Sequence, residues 1–165
     1  MLKSLLIQGI LLMFTTAAFS QVDSAVTQSS IKGLTLKQYS DIEHGPDLAD
    51  KALVATLNKY PMPDDVLKLT KELKLTKIQI TAIAEVSRYL RQKKLQTGQS
   101  VLLNEKKLDD LFRTNKVNDG NIAFYANRYG LYEGEYRTSV LLACFNTYKA
   151  LTPQQIALFE QLKSR

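Results

Sequence analysis

The sequence has few of the residues that stabilise small exported proteins covalently or bind metals. Cys144 is the only cysteine, so an internal disulfide is excluded and stability must come from packing. It lies in the apolar stretch VLLACF, which favours a buried, inert thiol over a reactive one. His44 is the only histidine, and Met62 is the only methionine after residue 20. Because a metal needs several converging donors, we predict no metal site and no cofactor.

Signatures of catalysis are also missing. The chain contains no G-x-S-x-G, no H-E-x-x-H and no P-loop. His44 could act as a base or ligand with Asp41 or Glu43, but its polar surroundings favour a solvated loop. Asp109 and Asp110 are adjacent in a helical pattern and point in different directions, which disfavours an acid–base pair. We therefore expect a protein that is not an enzyme.

The apolar run near the N-terminus is too short for a confident membrane anchor. Lys3 precedes the run at residues 5–14, and small residues at Ala18 and Ser20 suit cleavage before Gln21. This pattern predicts a signal peptide over residues 1–20 and a periplasmic protein; an uncleaved anchor is the alternative. No cysteine follows the signal, which disfavours a lipoprotein anchor.

Neither sign of charge dominates strongly. The chain has 22 basic and 16 acidic residues, for a net charge of +6. Loss of Lys3 with the signal would leave about +5, which suits partners with negative patches. Nucleic acid is not an expected partner of an exported protein.

Proline and β-type alternation are scarce, and the resulting pattern predicts an all-α fold. Residues 21–40 are assigned to a flexible N-terminal segment and residues 41–165 to one helical domain. Helices are expected near residues 46–58 and 64–73, separated by the chain break KYPMP. Two further apolar stripes, at 76–113 and 119–149, flank the turn TNKVNDGN. They predict a long antiparallel helical hairpin with short flanking helices.

Three glycines interrupt the helical patterns of the two long stripes. Each costs about 1 kcal/mol in a helix interior. Counted outward from the turn, Gly98 and Gly134 fall near one level of the predicted hairpin, and Gly130 lies one turn from Gly134. They permit a bend or a close backbone approach, although simple helix breakage is equally compatible.

The phrase Leu-Thr-x-x-Gln occurs at residues 75–79 and again at 151–155. Threonine followed three residues later by glutamine forms a capping box, and each copy has flanking apolar residues for a hydrophobic staple. Two helix starts are therefore predicted. The motif residues are Leu75, Thr76, Gln79, Leu151, Thr152 and Gln155. A third start is expected at Asn118, but Asn121 is not expected to close a box there.

These paired phrases, with IKGLT and LNKYPMPDDVLKLTKELKLTKIQ upstream, resemble the Spy/CpxP family of periplasmic proteins over about residues 31–165. The resemblance implies a curved antiparallel hairpin, often a dimeric cradle. Spy-like members are ATP-independent chaperones that hold unfolding clients on a concave surface. CpxP-like members dampen an envelope-stress sensor kinase. Metal-sensing relatives bind transition ions through histidine and acidic or sulfur ligands, a pattern from which this sequence departs.

We therefore expect a homodimeric chaperone that binds unfolded or misfolded envelope proteins during envelope stress. The alternative is a regulatory module for an envelope-stress or metal-responsive system, with a membrane sensor kinase as its partner.

Two sets of residues are candidates for client binding. The tyrosine row shares one predicted helix face and offers apolar area with polar tips; the alternative is a hairpin or dimer seam. It comprises Tyr125, Tyr129, Tyr132 and Tyr136. The basic run could attract acidic clients or phospholipid head groups; the alternative is a solvated helix face. It comprises Arg88, Arg91, Lys93 and Lys94.

Overall fold

The computed structural model describes residues 28–44 and 49–164, and the predicted signal peptide at residues 1–20 lies outside them. The described residues form six α-helices and no β-strand, which confirms the all-α prediction. The helices are α1 (Leu36–His44), α2 (Ala49–Leu57), α3 (Pro63–Lys68), α4 (Lys77–Arg113), α5 (Asp119–Ala150) and α6 (Pro153–Lys163).

Two stretches differ from the sequence-based expectations. The flexible segment was expected to reach residue 40, whereas α1 begins at Leu36 and packs on α4. His44 therefore ends a helix instead of lying in a loop, and its Nδ1 is 3.0 Å from the carbonyl oxygen of Ser40. Helix α3 ends at Lys68, before the expected boundary at residue 73, and the chain turns at Lys74 with a φ of 50°.

Helices α4 and α5 form the long-helix pair. Helix α4 has 37 residues and continues through Gly98 without a break, so it is about 56 Å long. Asn104 Nδ2 donates to the carbonyl oxygen of Tyr125 at 3.0 Å, while Gln79 Nε2 donates to that of Ala150 at 2.8 Å. Residue numbers thus rise along α4 as they fall along the facing part of α5.

Two buried clusters lie on the long-helix pair. One joins α2 to α4 and α5; its buried members are Ala52, Leu90, Tyr136, Val140, Ala143 and Cys144. The other joins α3 and α6 to α4; its buried members are Val66, Leu73, Ile83, Leu151 and Phe159. Because burying one large apolar side chain contributes about 1.5–3 kcal/mol, these clusters hold the short helices on the long ones.

Polar contacts also help to attach α2 to α5 and α3 to α4. The Lys51 ammonium of α2 forms an ion pair with Glu133 of α5 and lies 5.5 Å from the ring centre of Tyr136. The buried hydroxyl of Ser87 on α4 donates to the Asp64 carboxylate in the first turn of α3. The short helices are therefore positioned by specific pairs as well as by apolar burial.

Candidate binding surfaces

The two Leu-Thr-x-x-Gln phrases start α4 and α6 with the same geometry. Thr76 Oγ1 accepts a hydrogen bond from the Gln79 backbone amide at 3.2 Å, and Gln79 Oε1 accepts one from the Thr76 amide at 3.0 Å. Thr152 and Gln155 make the corresponding bonds at 3.2 and 2.9 Å. Each phrase is thus a complete capping box.

The side chains of the two box glutamines also bind each other. Gln79 Nε2 donates to Gln155 Oε1 at 2.8 Å, and Gln155 Nε2 donates to Gln79 Oε1 at 3.2 Å. Each Nε2 also donates across to a backbone carbonyl, from Gln79 to Ala150 at 2.8 Å and from Gln155 to Leu73 at 3.2 Å. These four contacts form the glutamine clasp. The repeated phrase therefore starts two helices and joins their starts.

A third copy of the phrase begins α1 and was missed by the sequence analysis, although Leu34, Thr35 and Gln38 have the same spacing. Thr35 N donates to Gln38 Oε1 at 2.9 Å, and Gln38 N donates to Thr35 Oγ1 at 3.1 Å. Gln38 is exposed, and within the described ranges no other glutamine pairs with its side chain. The third box therefore caps a helix without taking part in a clasp.

The prediction that Asn121 closes no box was wrong. Asn121 N donates to Asn118 Oδ1 at 2.9 Å, and Asn118 N donates to Asn121 Oδ1 at 2.9 Å. Asparagine presents the same carboxamide as glutamine on a side chain shorter by one methylene, and here it still reaches the N-cap amide. Helix α5 consequently begins with a complete box of its own.

The tyrosine row does not have one environment along its length. Tyr136 is buried, with 1% of its surface exposed, beneath α2. Tyr125 and Tyr132 are half-buried, and Tyr129 is 41% exposed. The row thus has one member in the core, Tyr136, and three that are partly or largely exposed nearer the α4–α5 turn.

Arg128 links two aromatic rings on α5 and was not among the predicted site residues. Its guanidinium carbon lies 5.2 Å from the ring centre of Phe124 and 5.5 Å from that of Tyr132. The guanidinium also donates to the Tyr132 hydroxyl. The four-residue spacing places all three side chains on one helix face, a signal that the sequence contains.

The basic run does not form a single patch. Arg88 and Arg91 are exposed, and Arg88 lies 3.9 Å from the Glu85 carboxylate. Lys93 turns toward Tyr89, with its ammonium 5.8 Å from the ring centre. Lys94 instead borders a small cavity beneath α1, so adjacent lysines serve different faces of α4.

An open groove of about 600 Å³ runs between α4 and α5. Its lining comes from these two helices alone and combines small residues with large ones, including Gly130, Gly134, Tyr89, Lys93, Leu131, Tyr132 and Leu142. A smaller recess of about 260 Å³ shares Tyr89, Ser139 and Leu142 with it. An added Cβ at Gly130 or Gly134 would meet nothing within 4 Å, so these glycines leave the groove open.

Cys144 is fully buried, and its Sγ lies 3.3 Å from Met62 Sδ. Burial raises the pKa of its thiol from 9.0 to about 11, because the thiolate would lose hydration. The thiol therefore stays protonated at neutral pH, which disfavours nucleophilic chemistry.

This pKa shift predicts that the free energy of unfolding depends on pH. The folded chain favours the neutral thiol, so the stabilisation is complete below pH 9 and is lost as the pH rises from 9 to about 11. The contribution of the neutral thiol to the free energy of unfolding is on the order of 2 kcal/mol. Urea unfolding of wild type and Cys144→Ala between pH 8 and 11 measures this contribution. Because lysines and tyrosines also titrate in this range, the decisive quantity is the difference between the two curves; parallel curves would contradict the assignment.

Among residues 28–44 and 49–164, no group of three or more histidine, cysteine, aspartate and glutamate side chains is placed to hold a metal ion. Over the same ranges, no helix has both the length and the apolar character needed to cross a membrane.

Comparisons of the chain with protein-family models, with curated proteins and with solved structures gave no match.

Proposed function

We propose that this protein is a periplasmic, ATP-independent chaperone that binds non-native envelope proteins. The observation that carries the proposal is the apolar surface left open on α4 and α5. Eleven large apolar side chains on these helices are at least 40% exposed: Ile78, Tyr89, Leu95, Leu103, Phe112, Ile122, Phe124, Tyr129, Leu131, Leu142 and Phe145. Three of them, Tyr89, Leu131 and Leu142, line the same groove, and contiguous exposed apolar surface is characteristic of sites that bind other proteins.

The distribution of these side chains supports weak binding of many partners. They lie along both long helices and are interspersed with cations, such as Lys93 beside Tyr89 and Arg128 beside Phe124. Scattered apolar contacts and diffuse positive charge give affinity without requiring one sequence in the client. Such a surface suits unfolded chains, which present apolar groups in no fixed arrangement.

The proposal includes the arrangement implied by the resemblance to the Spy/CpxP family. In it, α4 and α5 form a curved antiparallel hairpin, and two copies associate as a cradle. A chain of this size buries a limited fraction of its surface, so self-association would cover apolar area that one copy leaves exposed.

Aggregation assays test the function directly. The purified protein should suppress the aggregation of two unrelated unfolded proteins without ATP. Leu131→Ser combined with Leu142→Ser should weaken suppression, because it removes two exposed apolar walls of the groove. Gln99→Ala, a change at an exposed polar position of α4, is the matched control.

If the protein protects neither client, the chaperone proposal is refuted. Binding to one membrane sensor kinase in the same preparation would then favour the regulatory alternative.

A further inference from the structure

Helix α1 packs on α4, yet none of its nine residues is fully buried. A helix of this length is marginal in water unless it packs on a neighbour. Elements with few buried apolar contacts open at low free-energy cost, so α1 is suited to exchange between bound and released states.

The contact between α1 and α4 depends on the absence of a side chain at Gly98. A Cβ there would lie 2.1 Å from the carbonyl oxygen of Ile42 and 3.2 Å from its carbonyl carbon. Residue 46 is proline and has no amide hydrogen, so it cannot donate the helical i+4 hydrogen bond to this oxygen. Gly98 thus lets a helix end place its backbone directly on α4.

Beside this backbone contact, Ile42 packs over a small depression in the long-helix pair. The remaining cavity is only about 20 Å³ and is lined by Ile42, Lys94, Thr97, Gly98, Val101, Glu133 and Tyr136. We call this surface, without Ile42, the seat. Its floor includes the buried Val101, and its rim carries the Lys94 ammonium and the Glu133 carboxylate, which forms an ion pair with Lys51 of α2.

The seat lies on the same face of α5 as the exposed part of the tyrosine row, because Glu133 of the seat follows Tyr129 by one helical turn. Burial, followed by the Glu133 and Glu105 carboxylates, raises the pKa of the Tyr129 phenol. Release of α1 would therefore uncover the seat beside an exposed tyrosine.

We propose that the seat around Gly98 binds a short amphipathic segment of a client protein, and that α1 occupies it as an internal substitute in the free protein. This inference rests on the proposed chaperone function. The expected segment resembles α1 in chemistry: it places an aliphatic side chain where Ile42 packs and presses its backbone against Gly98. Because α1 competes for the same surface, the apparent affinity for clients falls with the fraction of molecules in which the seat is open.

Two substitutions distinguish the effect of releasing α1 from the effect of obstructing the seat. Ile42→Ser weakens the hold of α1 and leaves the seat intact. Gly98→Ala also displaces α1, but its new Cβ obstructs any backbone that enters the seat. Gly120→Ala is the matched control, since it adds a Cβ to a helical glycine of α5 outside the groove, where the nearest atom, Asn118 Oδ1, lies 3.4 Å away.

The first measurement uses a fluorescent, end-blocked peptide of residues 34–44 as the probe, with hydrogen exchange of the α1 amides to confirm release. We expect Ile42→Ser to bind the peptide about tenfold more tightly than wild type, because the competing helix is gone. The double variant Ile42→Ser/Gly98→Ala should lose this gain, and Gly120→Ala should match wild type. Circular dichroism checks that each variant retains its helices. Equal peptide binding by Ile42→Ser and the double variant would contradict the proposal that the seat binds the peptide.

The second measurement is suppression of client aggregation by the same three variants and wild type. Ile42→Ser should protect at a severalfold lower concentration than wild type, and the double variant should not. Protection that is equal in all variants would overturn the client seat and leave the chaperone proposal standing. No protection by any variant or by wild type would instead refute the chaperone function, whatever the peptide result.

Discussion

Replacing Tyr136 by alanine is expected to lower the free energy of unfolding by about 3–5 kcal/mol, the range for buried aromatic truncation. The ring is 1% exposed and packs in the cluster that joins α2 to the long-helix pair. Its loss leaves a cavity and removes the aromatic face over which the Lys51 ammonium lies. Urea unfolding followed by circular dichroism measures the change.

Tyr129→Ala is the matched control within the same row. Tyr129 is 41% exposed, so its truncation should cost no more than about 1 kcal/mol. Client binding should show the opposite order, with Tyr129→Ala weakening aggregation suppression in a protein that remains folded. Similar losses of stability for the two variants would contradict the division of the row into a core part and a surface part.

Loss of either glutamine of the clasp is expected to cost about 2–3 kcal/mol, because each contributes several hydrogen bonds of about 0.5–1.5 kcal/mol net. Gln79→Ala removes the acceptor for the Thr76 amide and the donor to Ala150. It also removes both hydrogen bonds between the two glutamine side chains, while Gln155 keeps its bonds to Leu73 and Thr152. The double variant Gln79→Ala/Gln155→Ala should cost less than the two single costs added, since both remove the same contacts.

The third box provides a control for this prediction. Gln38→Ala deletes the same capping residue where no clasp exists, so it should cost at most about 1 kcal/mol, the usual effect of a lost helix cap. Denaturant unfolding of the four variants gives the comparison. An effect of Gln38→Ala as large as that of Gln79→Ala would show that capping alone accounts for the cost.

Much of the local structure could be predicted because short-range chemistry determines it. The boxes at Thr76 and Thr152 follow from residues three apart, and the long helices follow from apolar periodicity. The prediction that Asn121 closes no box is wrong because the asparagine carboxamide has the same donor and acceptor groups as glutamine. The third phrase at Leu34 was overlooked although its spacing is written in the sequence.

The candidate surfaces were harder to predict because they depend on which elements cover them. Helical spacing places Tyr129 and Tyr136 on one face, but only the position of α2 makes Tyr136 part of the core. Similarly, adjacency in sequence grouped Lys93 with Lys94, whereas packing of α1 separates their surroundings. These are tertiary properties, and no pattern within a single helix encodes them.

The glutamine clasp also bears on the order in which the helices pack during folding. It joins residues 76 positions apart, and its second half belongs to the last helix of the described chain. Phe159 of that helix fills the same cluster as Val66 and Ile83. During vectorial synthesis, α3 and the start of α4 emerge first and must wait for α6 with their apolar sides uncovered. Docking of α6 is therefore the last step of folding. A chain that ended before Thr152 would leave the apolar cluster around Val66 and Ile83 exposed.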